Sequence, residues 1–144
     1  MKTFTLDEAQ SLLPVLKSLL KQAIEAKQAA EKIETQQQNL RQRIFLMGGM
    51  MVDIAASAHA RAAMESFVRK AKDAVQEIDS IGVQVKDLET GLLDFPCLVD
   101  GETVLLCWRM GEEKIDFWHT IESGFQGRQP LDDRFKKSRP ERPN

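Results

Sequence analysis

The chain has 144 residues, 42% of them hydrophobic and 29% charged, with a net charge of −2 at pH 7. That is the length of one domain and the balance of a soluble globular protein. No apolar run approaches the ~20 residues that cross a bilayer, the N-terminus lacks a basic-then-apolar leader, and a mildly acidic total argues against a broad nucleic-acid footprint.

Phe4-Thr5 opens the first helix. Thr5 and Glu8 have capping-box spacing, and Phe4 stands where a hydrophobic staple begins. Pro14 lacks an amide hydrogen, so a kink is expected there, or a short first helix with a restart. From Val15 the chain reads helical to about Met47. Ala23, Ala26, Ala30, Ile33, Gln37, Leu40, Ile44 and Met47 recur at steps of three and four. Gly48-Gly49 breaks the pattern. A second helix runs from about Met50 or Val52 to Ser80, with Ile54, Ala58, Met64, Phe67, Ala71, Val75 and Ile78 on one face. Gly82 is placed to end it.

Strands follow. Gly82–Asp87 is a short first one, and Leu92–Leu98, Glu102–Arg109 and Ile115–Thr120 are stronger. Asp100-Gly101 is a two-residue hairpin turn, and Gly111–Lys114 is the second turn. This register sorts the side chains. It predicts a core face of Leu93, Phe95, Cys97, Val104, Leu106, Trp108, Ile115, Phe117 and His119. The other face carries Leu92, Asp94, Leu105, Cys107, Arg109, Asp116 and Trp118, with Arg109 opposite Asp116 and Cys107 opposite Trp118.

The expected fold is therefore α+β: a long antiparallel helical hairpin packed on one face of a small three- to four-stranded antiparallel sheet. Residues 1–131 form a single domain, with the hairpin at about 5–80 and the sheet and loop at about 82–131. Residues 132–144 form a flexible basic tail. A hairpin longer than the small sheet can cover points to a homodimer through the helices. The expected compartment is the cytoplasm, with Cys97 and Cys107 as reduced thiols.

FTLDEA, KDLETGLLDFP, CWRMGE, FWH and GFQGRQPL together resemble an uncharacterised prokaryotic domain-of-unknown-function family, number twenty-two-zero-three, over Phe4 to about Leu131. The resemblance implies kinship and a common site. It implies no chemistry, and no catalytic residue carries over.

Asp94, Arg109, Asp116 and Trp118 gather on the more polar face, and Arg128 lies in the Gly-punctuated loop Gly124–Pro130. An arginine beside an aromatic and flanked by carboxylates can grip a small anion, as can loop amides with Arg128. The bland alternatives are a cross-strand salt bridge and a turn that tucks Phe125 onto the core. No cofactor and no metal site is expected. The chain has two histidines, no CxxC and no HxxxH, and the register separates His119 from Cys107. His119 reads as structural, bonded to a helix carboxylate. No nucleophile–base arrangement can be read from spacing alone.

Two functions fit. The first is a soluble oligomeric binding or interaction protein with a polar or anion-binding patch on the sheet and the GFQGRQPL loop. The second is a small enzyme with a site around Asp94, Arg109, Trp118 and Arg128. Nucleic-acid binding ranks third.

Overall fold

Helix α1 (Leu6–Leu46) starts at the capping box. The Glu8 amide donates to Thr5 Oγ1 at 3.1 Å, and the Thr5 amide donates to Glu8 Oε1 at 2.9 Å. Two otherwise orphaned donors are thereby satisfied. Pro14 lies inside this one helix, so the expected restart is absent. Helix α2 (Ile54–Ile81) ends in a Schellman-type cap. The Gly82 amide donates to the Asp79 carbonyl and the Val83 amide to the Ile78 carbonyl. Residues 2–48 and 54–136 are described by the computed structural model. Of the expected Gly48-Gly49 break, Gly48 follows the end of α1 with a positive φ of 84°; Gly49 and the expected helix start at Met50 or Val52 fall outside the described residues.

The remaining strands are β1 (Gln84–Asp87), β2 (Leu92–Val99), β3 (Glu102–Arg109), β4 (Phe117–His119) and β5 (Gln129–Pro130). They form one antiparallel meander in sequence order. The sheet thus has five strands rather than three or four. The fifth, Gln129–Pro130, is too short to show alternation, and its proline hides it further. The β2–β3 turn is as expected: Asp100 and Gly101 both have positive φ, 51° and 79°, as a two-residue hairpin of the primed type requires.

The chain divides into two compact units. In the unit Met1–Leu20 with Val75–Asn144, the sheet is buried on both faces. Phe4 meets Phe95 edge-on at 6.0 Å, and Lys17 lies over Trp108. The Phe4 amide donates to the Pro96 carbonyl at 2.7 Å, occupying the edge of β2 where β1 has ended. In the unit Lys21–Ala74, α1 and α2 form the expected helical hairpin. Its buried positions are alanines, Ala23, Ala26, Ala30, Ala71 and Ala74. Ile33, Gln37, Leu40 and Ile44 continue the predicted α1 seam half-buried. On α2 the inward row is Ala60, Met64, Phe67, Ala71 and Ala74, whereas Ile54 and Ala58 are exposed.

The structure corrects two expectations in the sheet unit. The β3–β4 register is displaced by one residue, pairing Cys107 with Phe117 and Leu106 with Trp118. Ile115 and Asp116 leave the ladder for other partners: the Ile115 amide donates to Gln10 Oε1, and the Asp116 carbonyl accepts the Leu131 amide. Every β4 side chain therefore faces opposite to expectation. The chain also keeps its structure past Leu131, as a helical turn α3 (Asp133–Lys136). Phe135 is buried there against Trp118, ring centroids 5.5 Å apart, and Arg134 pairs with Asp132 and Asp100. Residues 132–136 are thus no loose tail; residues 137–144 lie outside the described ones.

Phe135→Ala should cost about 3 kcal/mol of unfolding free energy, the loss expected for a buried phenylalanine. The urea midpoint measures it, and an unmoved midpoint would show that α3 adds nothing to the core.

Candidate functional site

Three adjacent strands bring Asp94, Cys107 and His119 to one point. Asp94 on β2 pairs with Cys107 on β3. Cys107 pairs with Phe117 on β4, so His119 follows two residues along on the same face. The three are 1%, 0% and 2% exposed, and their ligand atoms all lie within 4.8 Å of one another. His119 was expected to meet a helix carboxylate on the other face. The displaced register gives it the strand carboxylate of Asp94 instead.

The histidine is held at both ring nitrogens. Nδ1 is 2.7 Å from the Thr120 carbonyl oxygen. A carbonyl only accepts, so Nδ1 carries a hydrogen and donates it. Nε2 is 3.1 Å from both Asp94 oxygens. Both contacts are within hydrogen-bond reach, so the imidazole bridges the Thr120 carbonyl and the Asp94 carboxylate. Burial pushes the Cys107 thiol up from 9.0 to about 12. The Asp94 charge and the hydrogen bond to Asp94 act in the same direction, and Arg128 opposes them.

A second cluster, on the residues after β3 and β4, lies near enough to influence that thiol. Arg128 Nη2 donates to Glu112 Oε2 at 2.7 Å. Its guanidinium carbon sits 3.8 Å from the Phe117 ring centroid and 4.8 Å from that of Phe125. Glu112 Oε1 accepts the Arg109 amide at 2.7 Å, so one carboxylate ties the loop to the end of β3. Trp108 Nε1 donates to the Glu112 carbonyl. A 3-10 turn (Phe125–Gly127) sets Arg128 in place. A Cβ on Gly127 would lie 2.5 Å from Ser123 Cβ, so the glycine serves a tight turn rather than a ligand.

The predicted site residues are scattered. Asp94 joins the buried cluster, and Arg128 is held by Glu112. Arg109 is exposed, its guanidinium carbon 5.8 Å from the Phe125 ring centroid. Asp116 is 3.9 Å from Lys114, not opposite Arg109. Trp118 faces the other way, against Phe135, and its buried Nε1 has no hydrogen-bond partner among the described residues. Asp116 lines an open groove of about 690 Å³ with Leu6, Gln10, Ile115, Phe117 and Leu131. The Asp94–Cys107–His119 cluster is hidden in the sequence because the turn after β3 interrupts the strand register. The missed signal was Ile115, an apolar residue beside the turn that leaves the ladder for the core.

These features define a small α+β protein with a buried aspartate–cysteine–histidine centre inside its sheet unit. The chain belongs to the family described as "Uncharacterized conserved protein (DUF2203)", whose model matches residues 2–131. This is the family its motifs resemble. Among curated proteins and solved structures none matches it.

The thiol makes stability depend on pH. Its pKa is higher folded than unfolded, so the native state keeps the proton longer. That contribution is complete below pH 9.0 and is lost as pH rises through about 12. The chain has no tyrosine, which leaves the ultraviolet thiolate band free of tyrosinate. Native protein should show no Cys107 thiolate band at pH 10, and unfolded protein should show it. A native band at pH 10, absent in Cys107→Ser, would contradict the buried, proton-bound thiol.

Proposed function

We propose that the protein is a non-enzymatic interaction protein of the cytoplasm that assembles as a homodimer through its helical hairpin. The observation that carries this is the hairpin end. Phe45, Leu46, Met47 and Ile54 are 82%, 76%, 67% and 80% exposed. Such a concentration of bare apolar surface is usual at interfaces and unusual elsewhere on a soluble protein. The half-buried seam of Ile33, Leu40, Ile44, Met64 and Phe67 continues it along the same hairpin. A second copy supplies a matching surface by symmetry. A buried reduced thiol at Cys107 agrees with a reducing compartment. Among the described residues, no helix is long and apolar enough to cross a membrane.

The enzyme reading takes support from the aspartate, cysteine and histidine lying together. Against it, the histidine bonds the aspartate rather than activating the thiol, and the thiol is pushed away from the nucleophilic thiolate. The open groove with Asp116 is a separate feature. An anion on the Arg109 side is met by Arg109, since the Arg128 guanidinium already has Glu112 as its counter-charge.

Sedimentation velocity at micromolar concentration should give a dimer. Phe45→Glu with Leu46→Glu should raise its dissociation constant at least about 100-fold, because two apolar contacts per chain of about 1.5 kcal/mol or more are replaced by charge. A monomeric wild type, or a variant that dimerises equally well, would overturn the reading.

A further inference from the structure

We propose that Asp94, Cys107 and His119 form a binding centre for one divalent transition-metal ion of the zinc type. One carboxylate oxygen, one sulfur and one imidazole nitrogen are a donor set that zinc takes and that calcium or magnesium does not. Bonds of about 2.0–2.3 Å in a tetrahedral site place neighbouring donors roughly 3.3–3.7 Å apart. His119 Nε2 already lies 3.1 Å from both Asp94 oxygens, and all three ligand atoms fall within 4.8 Å. The widest separation has to close by at most about 1 Å, which is within reach of side-chain rotation.

The imidazole is also prepared as a ligand. Its Nδ1–H donates to the Thr120 carbonyl, which turns Nε2 to the centre and fixes the tautomer. Metal-bound histidines are commonly held in this way by a carbonyl or carboxylate on the far nitrogen. The ligands stand on three adjacent strands of one sheet, a rigid support.

Charge balances. The carboxylate and a thiolate carry two negative charges, which a divalent ion beside a neutral imidazole cancels. The proton on the Cys107 sulfur leaves as the ion enters, and the cation drives the ionisation that burial opposes. Arg128 nearby does not tip this balance, because Glu112 pairs with it. Three protein ligands leave one position for solvent or a small ligand; among the described residues no fourth histidine, cysteine or carboxylate joins the cluster.

Cobalt(II) is the probe, added while full-length protein is refolded from urea so that burial is no barrier. Excess metal is then removed by desalting. One cobalt should be retained per chain, with a sulfur-to-cobalt charge-transfer band that zinc(II) abolishes at one equivalent. Cys107→Ser should lose the band, and Cys97→Ser should keep it. Refolding the wild type with and without cobalt in weakly buffered indicator solution should report at least one proton released per ion retained. This second readout holds even if a variant fails to fold. Folded wild type that retains no cobalt, a band that survives Cys107→Ser, or release of fewer than one proton would overturn the assignment.

Discussion

The pairing of β2 with β3 is the constraint on which the rest of the sheet unit depends. Eight residues of each strand are in register, from Leu92 opposite Arg109 to Val99 opposite Glu102. The Asp100-Gly101 turn sets that register, and both faces of the pair are then buried. A one-residue slip would turn Asp94 into the aromatic layer of Phe95 and Trp108 and set those rings in place of the polar centre. The pair is therefore specified by hydrophobic burial from both sides as well as by its turn.

Burying both faces creates a difficulty, since Asp94 and His119 are polar and fully enclosed. Groups of this kind are tolerated only with partners. Here the imidazole uses one nitrogen on Asp94 and the other on Thr120, and the thiol leans on the same carboxylate. The second cluster answers a similar need. Arg128 is held between Phe117 and Phe125 and neutralised by Glu112, which also fixes Arg109 through its amide. A guanidinium tolerates such aromatic surroundings because its faces are weakly hydrated while its edge makes the ion pair.

The hairpin unit follows another logic. Its buried positions are alanines, which allow close helix approach but supply little apolar area. Its larger apolar side chains remain half-buried or bare. Covering that surface would stabilise such a unit, and the proposed second copy would do so. The sheet unit has its own dense core and holds the polar centre. Assembly and ion binding would thus be functions of different parts of the chain.

Local rules determined much of this protein. The Thr5–Glu8 cap, the helix stop at Gly82, the Asp100-Gly101 turn and the β2–β3 face assignment all follow from contacts within a few residues, so they were legible in the sequence. The hairpin and the α+β class follow from the hydrophobic periods. The β3–β4 register was not legible, because Gln10 and Leu131, both distant in sequence, draw Ile115 and Asp116 out of the ladder. That single residue of displacement decides whether His119 meets Asp94 and Cys107 or faces away. The short strand at Gln129–Pro130 and the docking of Phe135 are likewise decided by partners elsewhere in the chain. The sequence supplied the aspartate, the thiol and the imidazole, and only long-range pairing brought them within reach of one another.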